Sequence, residues 1–515
     1  MNCSDRYKRK AAILCVSLLV CGFVSAEDAP IAQEKKATPD PLFDHAGFDF
    51  HTYTASYDQP NRPQFHFTSR EGYINDPNGL IYYDGEWHMY FQHKGQKVWG
   101  HAVSTDLVHW KQLQHAIVMH KGHCASNGQI WSGTSVIDWN NTLGKQKGDT
   151  KTIVAFFTHT QADGFHQDGA YSTDKGRTFH LMGNLVRNLG NSRGERDPKV
   201  VWDPDSKTWI MILTAGCNAV FQSIDLMNWT RCGKIEGIGG ECPDLFQLPL
   251  DGDQSKKKWV ITNAGARYGV GHLQKGVWCL DVGERMQGFD SGRPRGSMGY
   301  AWQTFGNGPD GRVVQIGFIQ SGQRNAAAPV PHKDLPFFQQ MTFPVELTLH
   351  TTPGGMRLFR YPVKEVEKLY TDTRKWDEIT LATANDKAHL GGLKPDLMDM
   401  TCVFSPGKAD KVTFNVRGVA VRYSQGDGKI RVKNNAGIVG ESVVHAGQDK
   451  KGRIKFRVLF DRTSFEIFVN DGIAAATINC VPRNKDLSIA GPESTVINHL
   501  VIHELGSIWK QKEGK

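Results

Sequence analysis

Long hydrophobic runs are almost missing from this 515-residue chain. Outside the first 26 residues no apolar stretch is long enough to cross a bilayer, and the mean hydropathy is −0.43, which excludes an integral helical membrane protein. Cysteine is scarce as well. Of ten Cys, three (Cys3, Cys15, Cys21) fall at the N-terminus. The other seven, Cys124, Cys217, Cys232, Cys242, Cys279, Cys402 and Cys480, form an odd, scattered set without a C-x-x-C pair, which excludes a disulfide framework. His120, His123 and Cys124 lack a second ligand cluster at zinc spacing, so HKGHC reads as a polar loop. There is no basic stripe: 61 Lys+Arg against 53 Asp+Glu give +8, of which Arg6, Lys8, Arg9 and Lys10 less Asp5 supply three at the N-terminus, and the remaining +5 is spread along the chain, so nothing recommends nucleic acid as a partner. With 39% hydrophobic and 22% charged residues the chain is globular, and its length calls for two or three domains.

The N-terminus reads as an export signal. Met1 to Lys10 is a charged n-region, Ala11 to Val24 an apolar h-region, and Val24-Ser25-Ala26 a small-residue cleavage site. The expectation is a secreted or periplasmic protein cleaved near Ala26, with no membrane attachment afterwards. A lipoprotein anchor at Cys21 is disfavoured by Val20 before it. Residues 27–60 are polar and Pro-containing, as in a tether.

From residue 61 to 365 helical periodicity is lacking, and short aromatic and β-branched runs alternate with Asp/Gly turns. Five times a run passes through such a turn into a second run, beginning at Trp87, Thr152, Trp209, Trp259 and Val313, at intervals of 65, 57, 50 and 54 residues. Four-stranded propeller blades repeat every roughly 40 to 50 residues, and long loops stretch that period. Three copies carry a further turn, STDLVHW (104–110), STDKGRTF (172–179) and SIDLMNW (223–229), whose Ser and Asp can bond local backbone while the aromatic packs. Residues 371–510 alternate as strands, and Asn470-Asp471-Gly472 marks a hairpin. The fold predicted is all-β, a propeller followed by a C-terminal β-sandwich.

Carboxylates recur in the first strand of successive repeats. Asp76 lies 11 residues before Trp87, Asp197 lies 12 before Trp209, and Glu241 lies 18 before Trp259. Inner strands of a propeller ring its axis, so these acids would converge in one funnel, with Trp131, Ser132 and Trp302 supplying walls and a hydroxyl from other repeats. Converging carboxylates suit glycoside hydrolysis, one as nucleophile or base and one as acid. Arg196 should keep Asp197 ionised, whereas Glu241, flanked by Gly240 and Cys242, should carry the raised pKa of an acid. Competing signals lack their context. Gly190 to Gly194 matches G-x-S-x-G without a nucleophile elbow's strand and helix. Gly237 to Gly240 has no βαβ unit around it, and Asp251-Gly252-Asp253 reads as a hairpin turn and not a calcium loop.

At these residues the chain resembles glycoside hydrolase family 32, the β-fructofuranosidases that include invertases, exo-inulinases and levanases. INDPNG (74–79), ERDPKV (195–200) and ECPDLF (241–246) are similar to the family's nucleophile, transition-state-stabiliser and acid/base motifs, and the likeness runs in order from about residue 61 to 510. The resemblance implies five blades, no cofactor or metal, Asp76 as nucleophile, Glu241 as acid/base and Asp197 as stabiliser. It implies a pocket shaped by Asn75, Gln92, Trp99, Trp131, Ser132, Arg196 and Trp302. HKGQKV, between Gln92 and Trp99, is shorter than the family's usual loop and lacks one of its aromatics. The expected substrate is a fructan, levan first, with inulin and sucrose secondary. An invertase, a fructosyltransferase and a non-catalytic fructan-binding protein are the alternatives; a sialidase-type propeller would need an arginine cluster that is not there.

Overall fold

The computed structural model describes residues 50–118, 128–161, 164–187, 194–214, 219–235, 240–265, 267–274, 277–281, 287–288, 299–320, 335–408, 411–434, 442–445 and 449–509. The signal segment 1–26, most of the tether, HKGHC, most of the G-x-S-x-G match and most of the Gly237 to Gly240 run lie outside them.

Five four-stranded antiparallel blades follow one another along the chain, with inner strands Gly72–Tyr83, Ile130–Asp138, Arg196–Asp203, Asp244–Leu250 and Gly299–Thr304. Each inner strand lies against the next, and the fifth lies against the first, so the ring is closed. Closure is reinforced where Gly72 and Tyr73 pair with Phe337 and Phe338, and where Ile81 bridges to Gly306. The second strand of each blade overlaps the run expected for it, at Glu86–His93, Thr152–Gln161, Thr208–Thr214, Asp253–Thr262 and Val314–Ile319, although the blade 4 strand starts six residues before Trp259.

The buried parts of these second strands carry apolar runs, such as TIVAFF in blade 2 and TWIMIL in blade 3, because a blade is covered on both faces by its neighbours. Successive residues divide between two interblade cores: Phe157 packs with Tyr90 and Trp99 of blade 1, while Phe156 packs with Met211 and Phe221 of blade 3. Ile210 and Ile212 turn the other way, toward Leu245 and Trp259 of blade 4. The three S-x-D turns join the third and fourth strands of blades 1 to 3. Asp106 accepts from the backbone N–H groups of Val108 and His109, Asp174 from Arg177 and Thr178, and Asp225 from Met227 and Asn228.

The last blade strand ends at Pro362, a 3₁₀ turn spans Lys364–Leu369, and the sandwich begins with Tyr370–Thr380. Its two sheets have six and five strands and enclose a core of Phe404, Phe414, Phe456, Ile467 and their neighbours. Leu459, Phe468, Ala475 and Leu505 face the other way and join the core of blades 1, 4 and 5. At the hairpin, Gly472 (φ 95°) packs against the Arg360 backbone, where a Cβ would sit 2.2 Å from the carbonyl oxygen. The tether expectation is corrected at its end. From Phe50 the chain is seated on blade 1, where Tyr53 OH bonds His93 and His115, and Tyr57 then stacks at 4.0 Å on Trp509, which follows the last sandwich strand.

One buried ionic cluster joins the propeller to the sandwich. Asp461 accepts from the backbone N–H groups of Gln64, Phe65 and His66 and bonds His66 Nδ1 at 2.9 Å, while Glu466 bonds His66 Nε2 at 3.1 Å. Burial alone would lower the His66 pKa, but the bonds and charges of Asp461 and Glu466 raise it to about 9. The folded value lies above the unfolded one of about 6.5, so this stabilisation is full below that pH and is lost as pH rises through 9. In chemical unfolding, the stability difference between wild type and His66→Gln should shrink by on the order of 3 kcal/mol between pH 6.5 and pH 10. A difference that stays constant over that range contradicts the assignment.

Candidate active site

Carboxylates from three blades meet at one end of the ring. Asp76 lies on the inner strand of blade 1, Asp197 on that of blade 3, and Glu241 three residues before that of blade 4. Pro follows both aspartates. That pairing reads as a turn in isolation, yet here both prolines lie within strands, which is tolerated because an inner strand is the edge of its sheet.

Asp76 is held by four donors. Asn75 Nδ2 donates to Oδ1 at 2.9 Å, and Ser132 Oγ, Gln92 Nε2 and Cys242 Sγ reach Oδ2 at 2.5, 3.4 and 3.5 Å. The donors are themselves fixed. Asn75 also donates to Gln92 Oε1 at 2.9 Å and accepts from Tyr73 OH and Gln339 Nε2, which fills its hydrogen-bonding capacity. Gln92 donates to Ser132 at 2.8 Å and accepts from Gln96 at 3.0 Å. Gln96 belongs to the short loop after Gln92. That loop is pinned to the start of blade 2 by Gln96 O with Ile130 N and by Lys97 Nζ with Gly128 O.

Asp197 is the deepest of the three, 4% exposed, and it accepts from the Cys242 backbone N–H at 3.1 Å. Its own N–H donates to Thr158 Oγ1. Glu241 is the outermost, its side chain 44% exposed. Arg196 Nη2 donates to Glu241 Oε1 at 2.5 Å and Tyr300 OH to Oε2 at 2.7 Å, while Arg196 Nε stands 3.6 Å from Asp197. Asp197 (φ 59°), Cys242 (φ 46°) and Ala301 (φ 50°) all have left-handed backbone, which costs a non-glycine residue about 1–2 kcal/mol and collects where side chains must be aimed.

Burial raises the Asp76 carboxyl against the opposing Ser132 and Cys242 bonds, and with repulsion from Glu241 it reaches about 6. Asp197 goes higher. Burial and then the Asp76 charge push it to about 7. The expectation that Arg196 would depress Asp197 is therefore corrected: the guanidinium acts in that direction, but burial and Asp76 outweigh it. Cys242 is held as a neutral thiol by burial and by the three surrounding carboxylates. Tyr300 stays protonated because of burial and the Glu241 charge.

Two residues expected to shape the pocket are elsewhere. Trp99 is fully buried between blades 1 and 2 and acts at one remove, its Nε1 donating to the Trp131 carbonyl at 3.0 Å. Trp302, 2% exposed, lies under the Arg360 guanidinium at 4.1 Å within the core of blade 5. The reason is a bulge: the register slips between Tyr300 and Gln303, with Ala301 left-handed, so Tyr300 reaches Glu241 while Trp302 turns into the blade. Trp131 stays partly exposed, against Phe165 at 4.7 Å. Sequence reasoning missed Tyr300, Gln339 and the thiol of Cys242. Tyr300 occupies the same first strand as Trp302, so the repeat pointed to the strand but not to the residue.

Residues 66–362 match the Glycosyl hydrolases family 32 N-terminal domain, and residues 365–497 match the Glycosyl hydrolases family 32 C terminal. A levanase of Bacillus subtilis (strain 168) is 32% identical over 88% of this chain and 72% of its own length, and a levanase of Bacillus sp. (strain L7) is 29% identical over 90% and 54%. The chain thus spans about half of the second relative. Among solved structures, exo-inulinase from Aspergillus awamori superposes with a TM-score of 0.76 over 88% of this chain and all of that one, at 23% identity.

Asp76 and Asp197 both have folded pKa values above the unfolded value of about 3.9, so their ionisation opposes folding: the fold is favoured below that pH and loses stability as pH rises through 6 and then 7. Asp197→Asn should melt a few degrees above wild type at pH 8, with the gap closing near pH 4. A variant less stable than wild type at pH 8 contradicts the ordering of burial over Arg196.

Proposed function

The chain belongs to glycosyl hydrolases family 32, and from that footing we propose that it is a retaining exo-acting fructanase that removes terminal β-D-fructofuranosyl units, levan first, with inulin and sucrose as secondary substrates. The observation that carries the mechanism is the convergence of Asp76, Asp197 and Glu241 from three blades, each in a different environment.

Asp76 attacks the anomeric carbon. Its four donors fix one carboxylate orientation, and at neutral pH a group with a pKa near 6 is ionised. Glu241 stands on the solvent side, where a departing sugar leaves, and gives its proton to the glycosidic oxygen. It then takes a proton from the water that hydrolyses the fructosyl–enzyme, so configuration is retained. Arg196 and Tyr300 hold Glu241 through both steps. Asp197, deepest in the site, bonds fructose hydroxyls and favours the oxocarbenium-like state. The levan preference is supported by the two levanase relatives, and an extracellular polymer as substrate accords with the signal-like N-terminus.

Purified protein should release free fructose from levan early in the time course, without a ladder of oligomers. Glu241→Gln should cut the rate about 10²- to 10⁴-fold. Release from sucrose alone would make the protein an invertase, sugar transfer in place of release a fructosyltransferase, and no release at all a binding protein.

A further inference from the structure

One layer below the three carboxylates lies a second group of charges that the chemistry above does not use. Lys199, on the inner strand of blade 3, is 5% exposed, and Asp244, which opens the inner strand of blade 4, is fully buried. Their ion pair is 2.7 Å long. Asp244 also accepts from the Thr304 backbone N–H at 2.7 Å and from its hydroxyl at 3.1 Å, and Lys199 Nζ lies 3.3 Å from both Thr304 oxygens. Thr304 closes the inner strand of blade 5. One carboxylate thus ties three blades together across the ring.

The placement is specific. Lys199 follows Asp197 by two residues, Asp244 follows Glu241 by three, and Thr304 follows Tyr300 by four. The three strands tied at this level are the one that carries Asp197, the one that Glu241 leads into, and the one that carries the Tyr300 hydroxyl bonding Glu241. Asp76 and Ser132 come from blades 1 and 2, outside the tie. A buried ion pair contributes little net stability compared with apolar side chains of similar volume, because both charges are stripped of water. Geometry is what such a pair can supply.

We infer that Lys199, Asp244 and Thr304 form a positioning clamp that sets Glu241, with its Arg196 and Tyr300 partners, against the nucleophile Asp76 on the opposite blades. The clamp touches no substrate. It rests on the fructosidase reading of the site and adds to it which residues hold the acid half in register with the nucleophile half. A displacement of about 1 Å in a reacting group costs on the order of 10²-fold in rate.

The test compares two fructosides in the full-length protein carrying Lys199→Met with Asp244→Val. Cleavage of sucrose needs a proton from Glu241 on a poor leaving group, whereas 4-nitrophenyl β-D-fructofuranoside loses 4-nitrophenolate, an anion stable enough to leave unprotonated. The double variant should melt within a few degrees of wild type and lose about 10- to 100-fold in kcat/KM on sucrose, with the nitrophenyl fructoside affected several-fold less. Lys199→Arg, which can keep the ion pair, should recover most of the sucrose rate. Should the double variant fail to fold, Thr304→Val, which deletes one hydroxyl, should show the same inequality on a smaller scale. Equal losses on the two substrates, or no loss on sucrose, would overturn the clamp. Wild-type turnover of the two fructosides is a separate reading, and its absence would count against the proposed activity itself.

Discussion

The inner strands of the five blades cannot move independently, because each is packed between two others and the fifth returns to the first. Every feature of the candidate site depends on that closure. A single blade is a small antiparallel sheet, apolar on both faces, and has no means of burying them alone. Closing the ring buries those faces and brings together the starts of strands that are far apart in sequence. Asp76 and Glu241 are 165 residues apart, yet one thiol, that of Cys242, reaches both Asp76 and Asp197.

The closure also creates an electrostatic problem. Burial at one end of the ring raises both Asp76 and Asp197, and the crowding of three carboxylates adds to it: Glu241 raises Asp76, while Asp76 and Glu241 raise Asp197 against the pull of Arg196. The surroundings answer with neutral donors, Asn75, Gln92, Ser132 and Cys242 on Asp76 and Tyr300 on Glu241, which favour the ionised forms without adding charge. The left-handed backbone at Asp197, Cys242 and Ala301 belongs to the same arrangement, since each re-aims a side chain that a regular strand would point elsewhere. The ring in turn is braced from outside, where Asp461 and Glu466 of the sandwich seize His66 just before blade 1.

Much of this was legible in the sequence, for identifiable reasons. The second strands could be located because burial on both faces leaves unbroken apolar runs such as TIVAFF and TWIMIL between Asp/Gly turns. Asp76, Asp197 and Glu241 stood out because they recur at similar distances before those runs. Trp302 was misplaced because a bulge at Ala301 changes which way a side chain points, and periodicity cannot register one inserted residue. The Asp197 shift was misjudged because Arg196 is adjacent in sequence, whereas burial and Asp76 are contributed by distant blades. Lys199 and Asp244 stood inside the quoted motifs as RDPKV and ECPDLF, but their pairing spans 45 residues and becomes visible only when the ring is closed.

In the proposed mechanism ring closure makes Asp76 the nucleophile and leaves Glu241 to transfer protons, and trapping the fructosyl–enzyme tests this most directly. Glu241→Gln mixed with 4-nitrophenyl β-D-fructofuranoside should form the fructosyl–enzyme faster than water can clear it, and digestion followed by mass spectrometry should find one fructosyl unit on the peptide that contains Asp76. A fructosyl unit on the peptide of Asp197 instead, or nitrophenol released in full turnover with inversion at the anomeric carbon, would contradict the account.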